Sequence, residues 1–218
     1  MILEGLVVGM FQGNCYIVGS ETTREAMVVD PGDEGERILA TLQRRNLEAK
    51  LIVVTHAHVD HVAALQEVRD GTGASVAMHR DAYESSKGDS GLMRMLLGAS
   101  APPLAEPDLF AEDGDKLQVA DLEFEVLFCP GHAFGHICLL GQGVVFTGDA
   151  LFAGGIGRFD LPGGDGKLLF DSIRDKLLTL PDETAVLAGH GPSSTIGEEK
   201  SSNPFLLYPR MYMGIDTD

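Results

Sequence analysis

The sequence predicts an α/β fold in which sheets are covered by helices in layers. Three observations predict it. Short runs rich in β-branched residues recur along all 218 positions, amphipathic helical patterns separate some of them, and an order of strands followed by mixed strands and helices occurs twice.

The strand-like runs, in chain order, are NCYIV (14–18), EAMVVD (25–30), KLIVVT (50–55), SVAM (75–78), EFEVLF (123–128), HICLL (136–140), GVVFTGD (143–149) and TAVLAGH (184–190). Asp33 and Glu36 have the spacing of a capping box that opens a helix with Ile38, Leu39 and Leu42 on its inner face. A second helix is expected after His61, with Val62, Leu65 and Val68 in helical register and Gly71 as its stop. A third carries Leu169, Ile173, Leu177 and Leu178 and ends before Pro181. No composition break marks a linker and no repeat of solenoid length occurs, so residues 1–218 are expected to form one domain with a C-terminal tail over 199–218. The segment 84–108 mixes a Met/Leu cluster with prolines, the composition of a short helix and loop over a site or of an ordinary surface excursion.

Composition excludes several functions. The formal net charge is -17 and there is no basic run, which argues against nucleic acid as a partner. The N-terminus lacks the charged region and cleavage pattern of a leader, and no stretch reaches bilayer length, so a cytoplasmic protein without membrane attachment is expected. Cys15, Cys129 and Cys138 are odd in number and show no CxxC spacing, which suits small buried side chains in strands.

The chemistry concentrates in THAHVDH, residues 55–61. The preceding strand ends at Thr55, so His56, His58, Asp60 and His61 fall on the turn and on the first turn of the next helix, where successive side chains can converge. Neutral imidazole nitrogens and an anionic carboxylate suit zinc, iron or manganese. His132 in CPGHAFGH, Asp149 in VVFTGDA and His190 in AVLAGHGP each follow a strand-like run with glycine beside them, the arrangement that delivers a donor from a strand end into a pocket. His79 has the isolated setting of a surface or hydrogen-bonded histidine, whereas His136, four residues past His132, suits equally a structural role or a hydrogen bond behind a ligand.

HxHxDH followed by PGH, GD and GHG resembles the metallo-β-lactamase fold superfamily over nearly the whole chain. The resemblance implies a four-layer αββα sandwich with a dinuclear site, in which His56, His58 and His132 bind one divalent ion, Asp60, His61 and His190 the other, and Asp149 bridges them. Zinc comes first, with iron or manganese as alternatives. It further implies hydrolysis by a hydroxide shared between the metals, which Asp60 orients as the catalytic carboxylate.

Within that superfamily the glycine-rich GDALFAGGIGRFDLPGGD (148–165), the opening GNCYIV and the tail TIGEEKSSNPFL look like the short glyoxalase-II-like branch, the hydroxyacylglutathione hydrolases. A small-molecule thioester is the implied substrate. With only a short tail after Ser201, a chain without the glyoxalase II helical domain is expected, and Asp160 and Pro192 stand where that family often has tyrosine. Arg158 is retained as a substrate-binding residue for a carboxylate, against an ion pair with Asp160. A mono-iron persulfide dioxygenase using the positions of His56, His132 and Asp149 is the alternative enzyme; a lactonase or a non-catalytic metal-binding module is further off. The apolar tail NPFLLYPRMYMG packs on its own domain or on a second subunit, the latter making a homo-oligomer.

Overall fold

The computed structural model describes residues 1–87 and 104–215, so most of the 84–108 segment lies outside the described residues. The chain divides into two compact units, one of Met1–Ala111 with Gln118–Leu122 and one of Glu112–Leu117 with Glu123–Asp218.

The first unit is built on a six-stranded sheet in the order β1 to β6. Strands β1 (Ile2–Val8), β2 (Gly13–Gly19) and β3 (Glu25–Val29) form an antiparallel meander. From β3 onward the pairing is parallel, through β4 (Glu48–Val53), β5 (Ser75–Met78) and β6 (Leu109–Phe110). Parallel neighbours require a crossover. Helix α1 (Gly35–Arg45) provides the first, and α2 (Val59–Val62) with α3 (Leu65–Thr72) the second. Ile38 and Leu42 of α1 and Leu65 and Val68 of α3 join Ile17, Val28, Ile52 and Val76 from the strands in one core. α4 (Arg80–Lys87) follows β5.

Four local readings change here. Strand β1 escaped the sequence pattern because it is an edge strand whose residues Leu3 and Val7 stay exposed. Asp33 does not cap α1: the residue before the helix is Glu34, in the left-handed region at φ 52°. The Glu34 carboxylate instead accepts from the Gly9 N–H at 2.9 Å and from Arg37 Nη1 at 2.8 Å, while Asp33 Oδ1 accepts from the Glu34 N–H. The helix expected after His61 is two helices, because the chain breaks at Ala63–Ala64, where the Ala64 N–H reaches the Pro31 carbonyl at 3.0 Å. Gly71 is inside α3, where an added Cβ would come within 2.7 Å of Leu39, and the stop is Gly73 at φ 69°.

The second unit has a six-stranded sheet in the order β14-β13-β10-β9-β8-β7. β8 (Leu122–Phe128), β9 (Ile137–Gly141) and β10 (Val144–Gly148) run antiparallel, β10 and β13 (Ala185–Ala188) run parallel, and β7 (Lys116–Val119) and β14 (Ser194–Thr195) form the edges. A ribbon of β11 (Leu151–Phe152) and β12 (Gly155–Ile156) stands apart from the sheet. The crossover from β10 to β13 contains α5 (Gly166–Ser172), opened by the Asp165 carboxylate accepting from Leu168 N–H and continued as a π-helical turn over Ile173–Leu177. Leu169, Ile173 and Leu177 bury the face the sequence assigned to them, against Val145, Leu151 and Val186.

The tail forms α6 (Ile196–Ser202), α7 (Pro204–Leu207) and α8 (Pro209–Met213). A full capping box of Thr195 and Glu198 opens α6. Phe205, Leu206 and Met213 pack on this unit's core, while Leu207, Tyr208, Met211 and Tyr212 are exposed. All three cysteines are buried and none is in a disulfide; Cys15 and Cys138 lie in strands as expected, Cys129 just past the end of β8, and burial pushes the Cys15 thiol up. No helix among the described residues is long and apolar enough to cross a membrane.

Candidate metal centre

Two groups of donors are built, one on each unit. In the first, β4 ends at Val53, the chain turns through Thr55, and His56 and His58 lie on the connecting loop while Asp60 and His61 fall in α2. His56 and His61 are buried, and His58 and Asp60 are half-buried.

Asp30, at the end of β3, organises this loop. Its Oδ1 accepts from the Thr55 N–H at 2.7 Å, and its Oδ2 accepts from Thr55 Oγ1 at 2.7 Å and from His61 Nδ1 at 3.0 Å. The His61 proton therefore sits on Nδ1, which leaves the Nε2 lone pair for a metal. Thr55 uses its hydroxyl proton toward Asp30, so its oxygen accepts from His56 Nδ1 at 3.0 Å and the same tautomer follows for His56.

His56 Nε2 then lies 3.1 Å from His58 Nδ1, and the His56 and His58 rings meet edge-on at 4.6 Å. Ligand atoms of His56 and His61, and of Asp60 and His61, lie within 4.8 Å of each other. Gly32 allows this crowding, since an added Cβ would fall 1.8 Å from the Asp60 carbonyl oxygen. Beside Asp60 is a pocket walled by Val8, Met10, Phe11 and Val59.

In the second unit, His132 follows β8, Asp149 follows β10 and His190 follows β13, each one to four residues beyond its strand. His132 Nδ1 donates to the Arg158 carbonyl at 2.7 Å, again leaving Nε2 as the lone-pair nitrogen. Asp149 Oδ2 is 3.6 Å from His132 Nε2 and 3.6 Å from His190 Nε2. That is too long for a hydrogen bond. It is close to the spacing of about 3.4 Å between two ligands each about 2.1 Å from a tetrahedral ion. The Asp149 backbone is held by its N–H donating to His136 Nε2 at 3.1 Å, so His136 stands behind a candidate ligand. Phe152 meets the His190 ring edge-on at 6.2 Å.

The donor set fits a divalent metal: neutral imidazoles with tautomers fixed by a second hydrogen bond, and carboxylates at ligand spacing. Asp30, Thr55 and the Arg158 carbonyl escaped the sequence reading. Only the Asp30 terminus of EAMVVD, followed by Pro-Gly, gave a signal.

Arg158 departs from its expected setting, and His79 takes the hydrogen-bonded one. Arg158 is exposed and directs Nε and Nη2 at both Asp160 oxygens, at 2.9 and 2.8 Å. The guanidinium holds the Asp160 carboxyl down at about 2. His79 is buried, its Nδ1 accepting from the Asp81 N–H at 3.1 Å, as a structural histidine would.

The model of the metallo-beta-lactamase superfamily matches residues 8–190. A hydroxyacylglutathione hydrolase of Haemophilus influenzae is 38% identical over 215 residues, covering 94% of this chain and 98% of its own. The crystal structure of TTHA1623 in a di-iron-bound form is similar at 38% identity and TM-score 0.83, covering 93% of this chain and 100% of that one. That of ETHE1 from Myxococcus xanthus is similar at 33% identity and TM-score 0.79, covering 94% and 84%.

Proposed function

The chain belongs to the metallo-beta-lactamase superfamily, and from that premise we propose that it is a dinuclear metallohydrolase that cleaves thioesters of the hydroxyacylglutathione type. In this proposal His56, His58 and His132 hold one ion, Asp60, His61 and His190 the other, and Asp149 is shared. The observation that carries it is the placing of Asp149 Oδ2 at 3.6 Å from both His132 Nε2 and His190 Nε2, which suits a carboxylate common to two ions. The 38% identity to the Haemophilus influenzae hydrolase supports the substrate class, and the di-iron form of a neighbour supports a two-metal site while leaving iron beside zinc and manganese.

Bound divalent ions would supply a water acidic enough to ionise near neutral pH and a positive field for the carbonyl oxygen and the departing thiolate. The protein's own part is orientation. Thr55, Asp30 and the Arg158 carbonyl fix three imidazole tautomers, so no rotation is needed before a ligand binds. The half-buried Asp60 carboxylate accepts a hydrogen bond from the attacking water and holds it on line with the acyl carbon. Val8, Met10, Phe11 and Val59 offer an apolar wall to the acyl chain on that side. The water oxygen adds to the acyl carbon, the carbon–sulfur bond breaks, and one of the water's two protons passes to the thiolate, which leaves as thiol, while the other is released as the product acid ionises.

The test is hydrolysis of S-lactoylglutathione by metal-loaded protein, with Asp149→Ala as control and oxygen uptake on glutathione persulfide measured in parallel. Hydrolysis that disappears in Asp149→Ala, together with at least half of the bound metal, is the expected result. Oxygen uptake without hydrolysis would replace the proposal with a single-iron dioxygenase.

A further inference from the structure

The ribbon of β11 and β12 is fastened from the C-terminal tail. Glu199, on α6, is buried, and its Oε2 accepts from the Gly154 N–H at 2.9 Å, at the ribbon's turn. The same oxygen accepts from Asn203 Nδ2 at 2.7 Å. Asn203 is fully buried, and its amide also donates to the Gly155 carbonyl at 2.9 Å while its Oδ1 accepts from the Phe205 N–H at 3.1 Å. One carboxylate and one amide therefore hold both sides of the two-residue turn of a ribbon whose strands, among the described residues, are hydrogen-bonded in a sheet of their own.

What the ribbon carries gives the clamp its meaning. Asp149 lies two residues before β11, Arg158 lies two residues after β12, and the Gly157 N–H closes the base of the ribbon on the Ala150 carbonyl at 3.2 Å. Arg158 presents the carbonyl that holds His132, and Phe152, within β11, packs on the His190 ring. At Gly157 an added Cβ would fall 1.9 Å from the Asp149 carbonyl oxygen and 2.9 Å from His132 Nδ1, so the ribbon's base has no slack. Rotation of the ribbon would move all three donors of this unit together.

We propose that Glu199 and Asn203 are positioning residues for the metal centre, acting through the β11–β12 ribbon on Asp149, His132 and His190. The tail is then part of the working site. The inference rests on the metal assignment made above.

The experiment measures zinc affinity by chelator competition in wild type, Glu199→Ala and Glu199→Gln, and, in the metal-free proteins, the ring ¹⁵N–¹H signal of His132 Nδ1. Glu199→Ala is expected to weaken zinc binding about 10- to 100-fold and to lose the slowly exchanging His132 Nδ1 proton. Glu199→Gln keeps a carbonyl oxygen for the Gly154 N–H and should restore both. A merely structural role would lower the melting temperature and leave both readouts native, and that result would overturn the inference. If Glu199→Ala does not fold, Asn203→Ser reads the same quantities, because serine keeps the cap on Phe205 N–H and removes the donor to Gly155. Failure of the wild type itself to bind zinc, iron or manganese would instead sink the metal assignment.

Discussion

His61 Nδ1 donates to Asp30 Oδ2 at 3.0 Å, with both side chains shut off from solvent. The two residues are 31 positions apart, and the contact decides which nitrogen of His61 is left for a ligand. The same carboxylate takes the hydroxyl and backbone N–H of Thr55, so one acid fixes the start of the donor loop and, through Thr55, the His56 ring.

Asp30→Ala is therefore expected to cost stability and metal affinity together. Three buried donors would lose their acceptor at about 1–3 kcal/mol each, and second-sphere losses of this kind weaken metal binding about 10- to 100-fold. Asp30→Asn should be milder in fold, since asparagine tolerates the left-handed backbone at φ 52°, yet it cannot accept from His61 and both donors of Thr55 without turning its own amide toward a donor. Denaturant unfolding and chelator competition on the two variants check this. Native metal affinity in Asp30→Ala would show the contact to be incidental to the site.

Asp60 is half-buried and lines the apolar pocket, and in the proposed reaction its carboxylate orients the attacking water. Asp60→Asn should lower kcat by about two orders of magnitude, the scale of a lost general acid–base or orienting group, with KM changing only a few-fold. Steady-state kinetics at fixed metal occupancy separate the two. A raised KM with native kcat would make Asp60 a binding residue.

The Arg158–Asp160 pair predicts a pH effect. Arg158 holds the exposed Asp160 carboxyl at about 2, below its ordinary value near 4. A lowered folded-state value means that the pair's contribution is present above the ordinary carboxylate range and fades as pH falls toward about 2; exposure and salt keep it small. In Arg158→Ala the Asp160 titration should move back up toward 4, as read by carboxyl ¹³C shifts. If Arg158 turns to a substrate carboxylate, saturating wild type with the product acid should raise the Asp160 value in the same way. An Asp160 titration that ignores the ligand would leave Arg158 as a surface ion pair.

The donor motifs were legible because each is local. HxHxDH, PGH, GD and GH place their side chains immediately after strands that period and composition reveal, and the burial of Leu169, Ile173 and Leu177 followed from helical spacing alone. Local competition misled the reading elsewhere. Asp33 and Glu36 have capping-box spacing, but Glu34 is drawn to Gly9 and Arg37, while the real box lies at Thr195 and Glu198. Burial alternates along β1, but the exposed Leu3 and Val7 are apolar like the buried Leu6 and Val8, so its sequence carries no apolar–polar alternation.

By itself the sequence indicated the class of fold, seven candidate donor side chains and the strand ends that present them, since these depend on periodicity and on neighbours within a few residues. Only the tertiary structure decided which imidazole nitrogen faces a ligand, which acid organises the first loop and what secures the second. Asp30 to His61, His132 to the Arg158 carbonyl and Glu199 to Gly154 span 31, 26 and 45 positions. Hydrogen bonds between buried polar groups so far apart carry no periodic trace, because their partners are chosen by where the packed strands and helices bring them rather than by the order of the chain.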